Sequence, residues 1–201
     1  MRRRRLFRRI LLALAGLAAI VAVLAFFTLR SQWFYEKVRQ RIVSTVETAT
    51  GGRVEIGSFQ FDWRQLRAEV KSFVIHGTEP SDKPPVLRAG SVVVGLKIVS
   101  ALKRDVDIRY LEVTDPRVYL IVYPDGRTNV PRPKIKSEGS AAESILKLAI
   151  GRFALRNGIF EVESRAATPF DARGRNLKVD FAYELAGPRY RGYISIQPLD
   201  V

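Results

Sequence analysis

Leu177-Lys178-Val179-Asp180-Phe181-Ala182-Tyr183-Glu184-Leu185 alternates large apolar residues with polar or small ones over nine positions. Successive side chains of a strand point to opposite faces. Leu177, Val179, Phe181, Tyr183 and Leu185 therefore share one face, and Lys178, Asp180, Ala182 and Glu184 share the other. A helix would scatter the same residues around its circumference, so the stretch is a half-buried strand. The period returns with Val92, Val94, Leu96 and Ile98 opposed by Ser91, Val93, Gly95 and Lys97. Shorter runs of the same kind occupy Val54–Trp63, Leu66–Ile75, Val106–Val113 (with Val106 and Ile108 on the apolar side), Val118–Tyr123, Phe153–Leu155, Ile159–Val162 and Tyr190–Ile196. That makes about ten strands, with turn chemistry at Asp115-Pro116, Pro124-Asp125-Gly126, Asn157-Gly158 and Gly187-Pro188. The body after Gly51 is predicted to be mainly β, an antiparallel sheet with one apolar face.

Upstream of Gly51 the period becomes helical. Phe34, Val38, Ile42 and Val46 recur every four residues, away from Arg39, Gln40 and Glu47, and Gly51-Gly52 ends the run. Residues 30–50 are predicted to form an amphipathic juxtamembrane helix, whose stripe either lies on a bilayer or covers the start of the sheet. Before it, the twenty residues from Ile10 to Leu29 carry no charge. As a helix they span about 30 Å, one hydrocarbon core. The run is longer than the apolar region of a cleaved signal and closes without a small-x-small site, so residues 10–29 are predicted to be an uncleaved transmembrane helix. Arg2, Arg3, Arg4, Arg5, Arg8 and Arg9 make residues 1–9 a basic tail, which holds the amino end in the cytoplasm and sends the body across the membrane. Trp33, Phe34 and Tyr35 fall where the chain leaves lipid, the usual place of interfacial aromatics.

The net charge of +14 suggests nucleic acid at first sight, but six of those charges belong to the orienting tail. The rest are mixed with acidic residues over a body expected outside the cytoplasm, so no nucleic-acid partner is expected. Cysteine is absent, which excludes disulfides, thiolate metal sites and a cysteine nucleophile. His76 is the single histidine and reads as a turn-edge residue, since it has no companions for a zinc site. Asp105-x-Asp107 lacks the further oxygen ligands of a calcium loop. Gly51-Gly52 and Gly174 lack the strand–glycine–helix context of a phosphate cradle. Ser44, Ser58 and Ser164 have no elbow motif. No catalytic constellation converges, and the expectation is a non-enzyme without metal or cofactor.

Glu79 to Pro85 is a polar loop, and residues 128–149 read as a proline-bearing linker followed by a short helix over Ser140 to Ala149. This linker divides a first β-segment, 51–127, from a second, 150–201, which is expected to continue beyond Val201. A weak echo joins the two. Ile56-x-x-Phe59-x-Phe61, Ile108-x-x-Leu111-x-Val113 and Ile150-x-x-Phe153-x-Leu155 share one spacing, at intervals of 52 and 42 residues. In each, the apolar phase flips by one residue, as at a bulge or bend.

The order of these features, with Thr50-Gly51-Gly52-Arg53-Val54-Glu55-Ile56-Gly57-Ser58, then Leu111-Glu112-Val113-x-x-Pro116-x-Val118-x-Leu120, Asp125-Gly126-x-x-Asn129-Val130, and Ile150-Gly151-Arg152-Phe153-Ala154-Leu155-Arg156-Asn157-Gly158-Ile159-Phe160, resembles the amino-terminal region of the AsmA and TamB-like proteins of the bacterial envelope. The resemblance implies an inner-membrane anchor and a periplasmic sheet curled into a taco-like groove. It also implies phospholipid acyl chains as cargo between inner and outer membrane. An alternative within the same resemblance is a scaffold for outer-membrane protein assembly, with an outer-membrane β-barrel as partner. The expected groove lining is Val92, Val94, Leu96, Ile98, Val106, Ile108, Leu177, Val179, Phe181, Tyr183 and Leu185. Alternation alone leaves a closed, dry sandwich of a plain structural or sensor ectodomain equally open.

Overall fold

The computed structural model describes residues 14, 16, 17, 20, 21, 23, 31–97, 108–132, 150–166, 169–184 and 189–200. The chain packs as two units, Met1–Arg41 and Ile42–Val201. Helix α1 (Gln32–Thr50) is capped by Ser31, whose Oγ accepts the Phe34 N–H at 3.2 Å. It stops at Gly51, where φ is +79°, a value that glycine adopts without strain. Glu47 then ties the helix end to the sheet by accepting the Val54 N–H at 3.0 Å.

The strands are β1 (Arg53–Asp62), β2 (Arg67–His76), β3 (Leu87–Leu96), β4 (Ile108–Thr114), β5 (Arg117–Val122), β6 (Arg152–Ser164), β7 (Phe170–Glu184), β8 (Arg189–Ser195) and β9 (Leu199–Asp200). All nine belong to one sheet, ordered β1-β2-β3-β4-β6-β7-β8, with β5 between β3 and β6 and β9 beside β7. The fold is mainly β, as the alternation predicts, but the sheet is mixed rather than antiparallel. β4 and β5 run parallel to β6, and the remaining pairs are antiparallel. Parallel neighbours need a long crossover, and residues 123–151 supply it. The two predicted β-segments thereby share one sheet. Each paired residue of β4 and β5 lies beside the residue 42 positions further on, from Leu111 beside Phe153 to Val122 beside Ser164. The 42-residue echo is therefore a real pairing register. The copy at Ile56 belongs to β1, which runs the opposite way.

Two of the expected turns are not chain reversals. Asn157-Gly158 lies inside β6, so the predicted strands Phe153–Leu155 and Ile159–Val162 are one thirteen-residue strand. Asp115-Pro116 separates β4 from β5, which continue in the same direction beside β6. Both sites are part of a line that crosses the sheet. In register order it passes Gly57 in β1, Ser72 in β2, Gly90 in β3, Asp115, Asn157 and Asn176. Ser72, Asp115, Asn157 and Asn176 all have φ between 51° and 56°, the left-handed region that side chains other than those of Gly, Asn and Asp rarely enter. At Gly57 a Cβ would lie 2.9 Å from that of Ser72, so only glycine fits opposite this bend. The Pro124-Asp125-Gly126 turn forms as predicted, with Gly126 N–H donating to Tyr123 O at 2.9 Å.

A left-handed residue within a strand resets which face the next side chains take. Val54, Ile56 and Ile75 before the line and Val70 beyond it consequently enter one buried cluster. Phe59, Phe73, Leu87 and Val92 pack against it from the sheet, and Ile42, Val43 and Val46 from α1. Of the two roles open to the helical stripe, its carboxy-terminal half takes the covering one.

Asn157 is exposed, so its backbone conformation can be tested apart from packing. Asn157→Val should lower the free energy of unfolding by about 1–2 kcal/mol, the cost of a branched side chain in the left-handed region, whereas Asn157→Gly should stay within about 0.5 kcal/mol of the parent. Urea denaturation followed by circular dichroism reads both.

Candidate functional site

Residues paired across a sheet share a face, so the register converts single strands into rows. One row runs Phe59, Val70, Val92, Val113, Leu155, Val179, Ile194. The next runs Phe61, Ala68, Val94, Leu111, Phe153, Phe181, Gly192. Both cross seven strands, about 29 Å at the usual interstrand spacing, and neither contains a charged or polar side chain. Val70 and Val179 are buried, while Val94, Leu111, Val113, Phe153, Leu155 and Phe181 are only half-buried, and Ile194 is 64% exposed. The first row packs at Phe59, Val70 and Val92 into the cluster that α1 covers, both rows are half-buried over β4 and β6, and together they are the most distinctive surface among the described residues.

The predicted lining residues distribute unevenly over this surface. Val92, Val94, Val179 and Phe181 stand in the two rows. Leu96 pairs with Ile108 one step beyond a register shift at Gly95. Leu177 sits on the bend, opposite Gly158. Tyr183 meets Tyr190 with ring centroids 5.2 Å apart, and the Tyr190 hydroxyl accepts the Ile150 N–H at 2.8 Å. Ile98, Val106 and Leu185 lie outside the described residues, as do Arg2, Arg3, Arg4, Arg5, Arg8 and Arg9, the Asp105 and Asp107 pair and the predicted helix at Ser140–Ala149. Trp33 is 64% exposed, and Phe34 and Tyr35 are half-buried with an edge-to-face contact at 6.1 Å. Of the predicted spanning run, Leu14, Gly16, Leu17, Ile20, Val21 and Val23 are described, all helical. Among the described residues no helix is long and apolar enough to cross a membrane.

The opposite face is polar but not uniformly wet. Arg67 and Lys71 flank Glu69 at 3.1 and 3.7 Å, Arg156 meets Glu112 at 2.7 Å, and Arg173 meets Glu161 at 2.9 Å. Val93, expected on the wet side, is buried together with Ala154, and the Tyr110 ring lies over Gly95. Long charged chains and a tyrosine ring on neighbouring strands shield these small apolar residues. His76 stands between two carboxylates, 3.2 Å from Glu79 and 3.3 Å from Glu55, where it holds the end of β2. Among the described residues no group of His, Asp and Glu is arranged to hold a metal ion.

Two features of this side have no counterpart in the sequence reading. Asn129, in the predicted linker, is fully buried: its Oδ1 accepts the Ile121 N–H at 2.9 Å and its Nδ2 donates to Tyr119 O at 2.9 Å. It closes the edge of β5, and the spacing Asp125-Gly126-x-x-Asn129 is the signal that could have found it. Glu163 gathers Lys83 at 2.8 Å, Arg165 at 2.8 Å and the Tyr119 hydroxyl, joining a loop to β5 and β6. No local pattern announces that cluster, because its members come from segments 80 residues apart (Lys83 and Glu163). The hydrogen bonds from Lys83, Tyr119 and Arg165 hold the Glu163 carboxyl down at about 2. One carboxylate thus holds two cations and a hydroxyl, and the cluster clasps the Lys83 loop to β5 and the end of β6.

Because the folded carboxyl titrates below its ordinary value of 4.5, the stability it adds is complete above that pH and is lost as pH falls toward 2. Glu163→Gln should therefore lower the urea midpoint at neutral pH and flatten its decline between pH 4.5 and 2, read from urea melts across that range.

No family model matches the chain, and no curated protein matches it either.

Proposed function

We propose that this chain is a non-enzymatic envelope protein, anchored by its amino-terminal helix in the inner membrane, that handles phospholipid through the apolar face of a periplasmic sheet. The observation that carries the reading is the pair of continuous apolar rows, each spanning seven strands on one face. A row of about 29 Å exceeds the length of acyl chain found in one leaflet, which is roughly half of a 30 Å hydrocarbon core. An open sheet face covers one side of such a chain. At about 0.8 kcal/mol per buried methylene, half-covering a dozen methylenes contributes roughly 5 kcal/mol, enough to hold a lipid yet release it. Binding by burial needs no cofactor and no directed hydrogen bond, in keeping with rows that offer neither.

The anchor rests on the twenty uncharged residues after the arginine tail. Leu14, Leu17, Ile20, Val21 and Val23 are each more than half exposed on their helix, a surface suited to hydrocarbon. The groove shape and the route between membranes follow from the resemblance to AsmA and TamB-like proteins. The described strands are all hydrogen-bonded into one sheet, a connectivity that suits a curled groove.

A photo-crosslinking residue at Phe181 or Leu111 in the membrane-bound protein should capture phospholipid several-fold more than one at Asp180 or Glu112 on the other face. Equal capture on the two faces would remove the lipid reading. A companion pair separates binding from folding. Phe153→Arg should abolish capture at Phe181 while leaving the fold intact, because Phe153 is half-exposed, whereas Val70→Arg in the buried cluster should unfold the domain.

A further inference from the structure

Among the described residues, β8 is an edge strand hydrogen-bonded to β7 alone. Its neighbours fix which of its groups remain free. Tyr183 N–H donates to Gly151 O at 3.0 Å, toward β6, so the flanking Ala182 and Glu184 face β8, opposite Arg191 and Arg189. Gln197 N–H returns to Arg175 O at 3.1 Å, in the same odd-numbered phase. Tyr190, Gly192 and Ile194 consequently turn their N–H and C=O groups away from the sheet. Tyr193 and Ile194 are 58% and 64% exposed, and among the described residues no strand lies beyond Ile194 at the end of its apolar row. The other edge is different, since the Val54 N–H of β1 is already taken by Glu47.

We propose that β8 pairs with β8 of a second copy of this chain, antiparallel, about a two-fold axis through Gly192. In that register Gly192 exchanges two backbone hydrogen bonds with its own mate, and Tyr190 and Ile194 exchange two with each other at either end. On the apolar face Ile194 meets the second copy's Tyr190, which continues the row across the joint. On the polar face Arg191 meets the second copy's Tyr193, a cation over an aromatic ring. Shifting the axis by one residue toward Tyr190, onto Arg191, sets two arginines, each already paired with the Glu184 of its own chain at 3.2 Å, directly against each other, whereas the Gly192 axis keeps them on a diagonal. The contact is isologous and closes as a dimer; the unlike β1 edge does not favour a head-to-tail filament.

The absence of native cysteine makes the register testable by disulfide trapping in the full chain in detergent. Arg191 and Tyr193 face each other at a non-hydrogen-bonded pair, about 4.5 Å between Cα atoms, within reach of a disulfide. Each residue stands on the diagonal, about 7–8 Å, from its own mate. Mixed Arg191→Cys and Tyr193→Cys chains should cross-link under mild oxidation, and either alone should not. Ile194→Pro removes one outward N–H from each copy without touching the β7 ladder. It should weaken dimerisation roughly tenfold or more in sedimentation while the melting temperature of the monomer holds. Equal cross-linking in all three samples, no cross-linking, a monomer at every concentration, or an Ile194→Pro variant that dimerises like the parent would each overturn the proposal. A disulfide between Tyr193→Cys and a different polypeptide alone would assign the edge to that partner and overturn it equally.

Discussion

A strand keeps its apolar side chains on one face only while its two-residue period is unbroken. This protein breaks that period in concert, placing one left-handed residue at the same level in β2, between β4 and β5, in β6 and in β7, with glycines at that level in β1 and β3. Each strand changes direction and side-chain phase together with its neighbours. The rest of the structure depends on that coordination. Without it, Val54 and Val70 could not enter one cluster, and the helix could not cover both sides of the line.

The second consequence is chemical segregation. Beyond the bend, the register sorts side chains into rows that are wholly apolar on one face, while ion pairs such as Glu69 with Arg67 and Glu112 with Arg156 populate the other. Partly exposed pairs of this kind add little stability individually. Their effect is to keep one face wetted, which leaves the other as the apolar surface on which the proposed lipid binding rests.

Much of the fold could be read from the chain, because alternation is a local signal. Strand existence at Val54–Trp63, Leu66–Ile75 and Leu177–Glu184 follows from side-chain period alone. Sheet direction does not. The parallel pairing of β4 and β5 with β6 depends on a crossover whose path no local pattern specifies, although the 42-residue echo marked it. Asn157-Gly158 and Asp115-Pro116 misled because the same left-handed preference serves a hairpin and a bend within a strand. Four of the expected lining residues, Val92, Val94, Val179 and Phe181, were legible as a face, yet the row that joins them needed Val113, Leu155 and Phe153 from strands far apart in sequence. Asn129 and the Glu163 clasp are tertiary, and only the coordinates reveal them.

The transverse line of bends also acts as a ruler. In an ordinary sheet a strand that slides by two residues keeps its greasy side inward, so such errors are cheap and persist as kinetic traps. Here a two-residue slide of β2 would bring the Ser72 kink beside a straight stretch of β1 or β3 and would force Val70 or Val74 to oppose Gly57. Misaligned pairings are thereby penalised in the backbone itself, before any side chain is packed, and a chain without disulfides acquires a means of proofreading its own assembly.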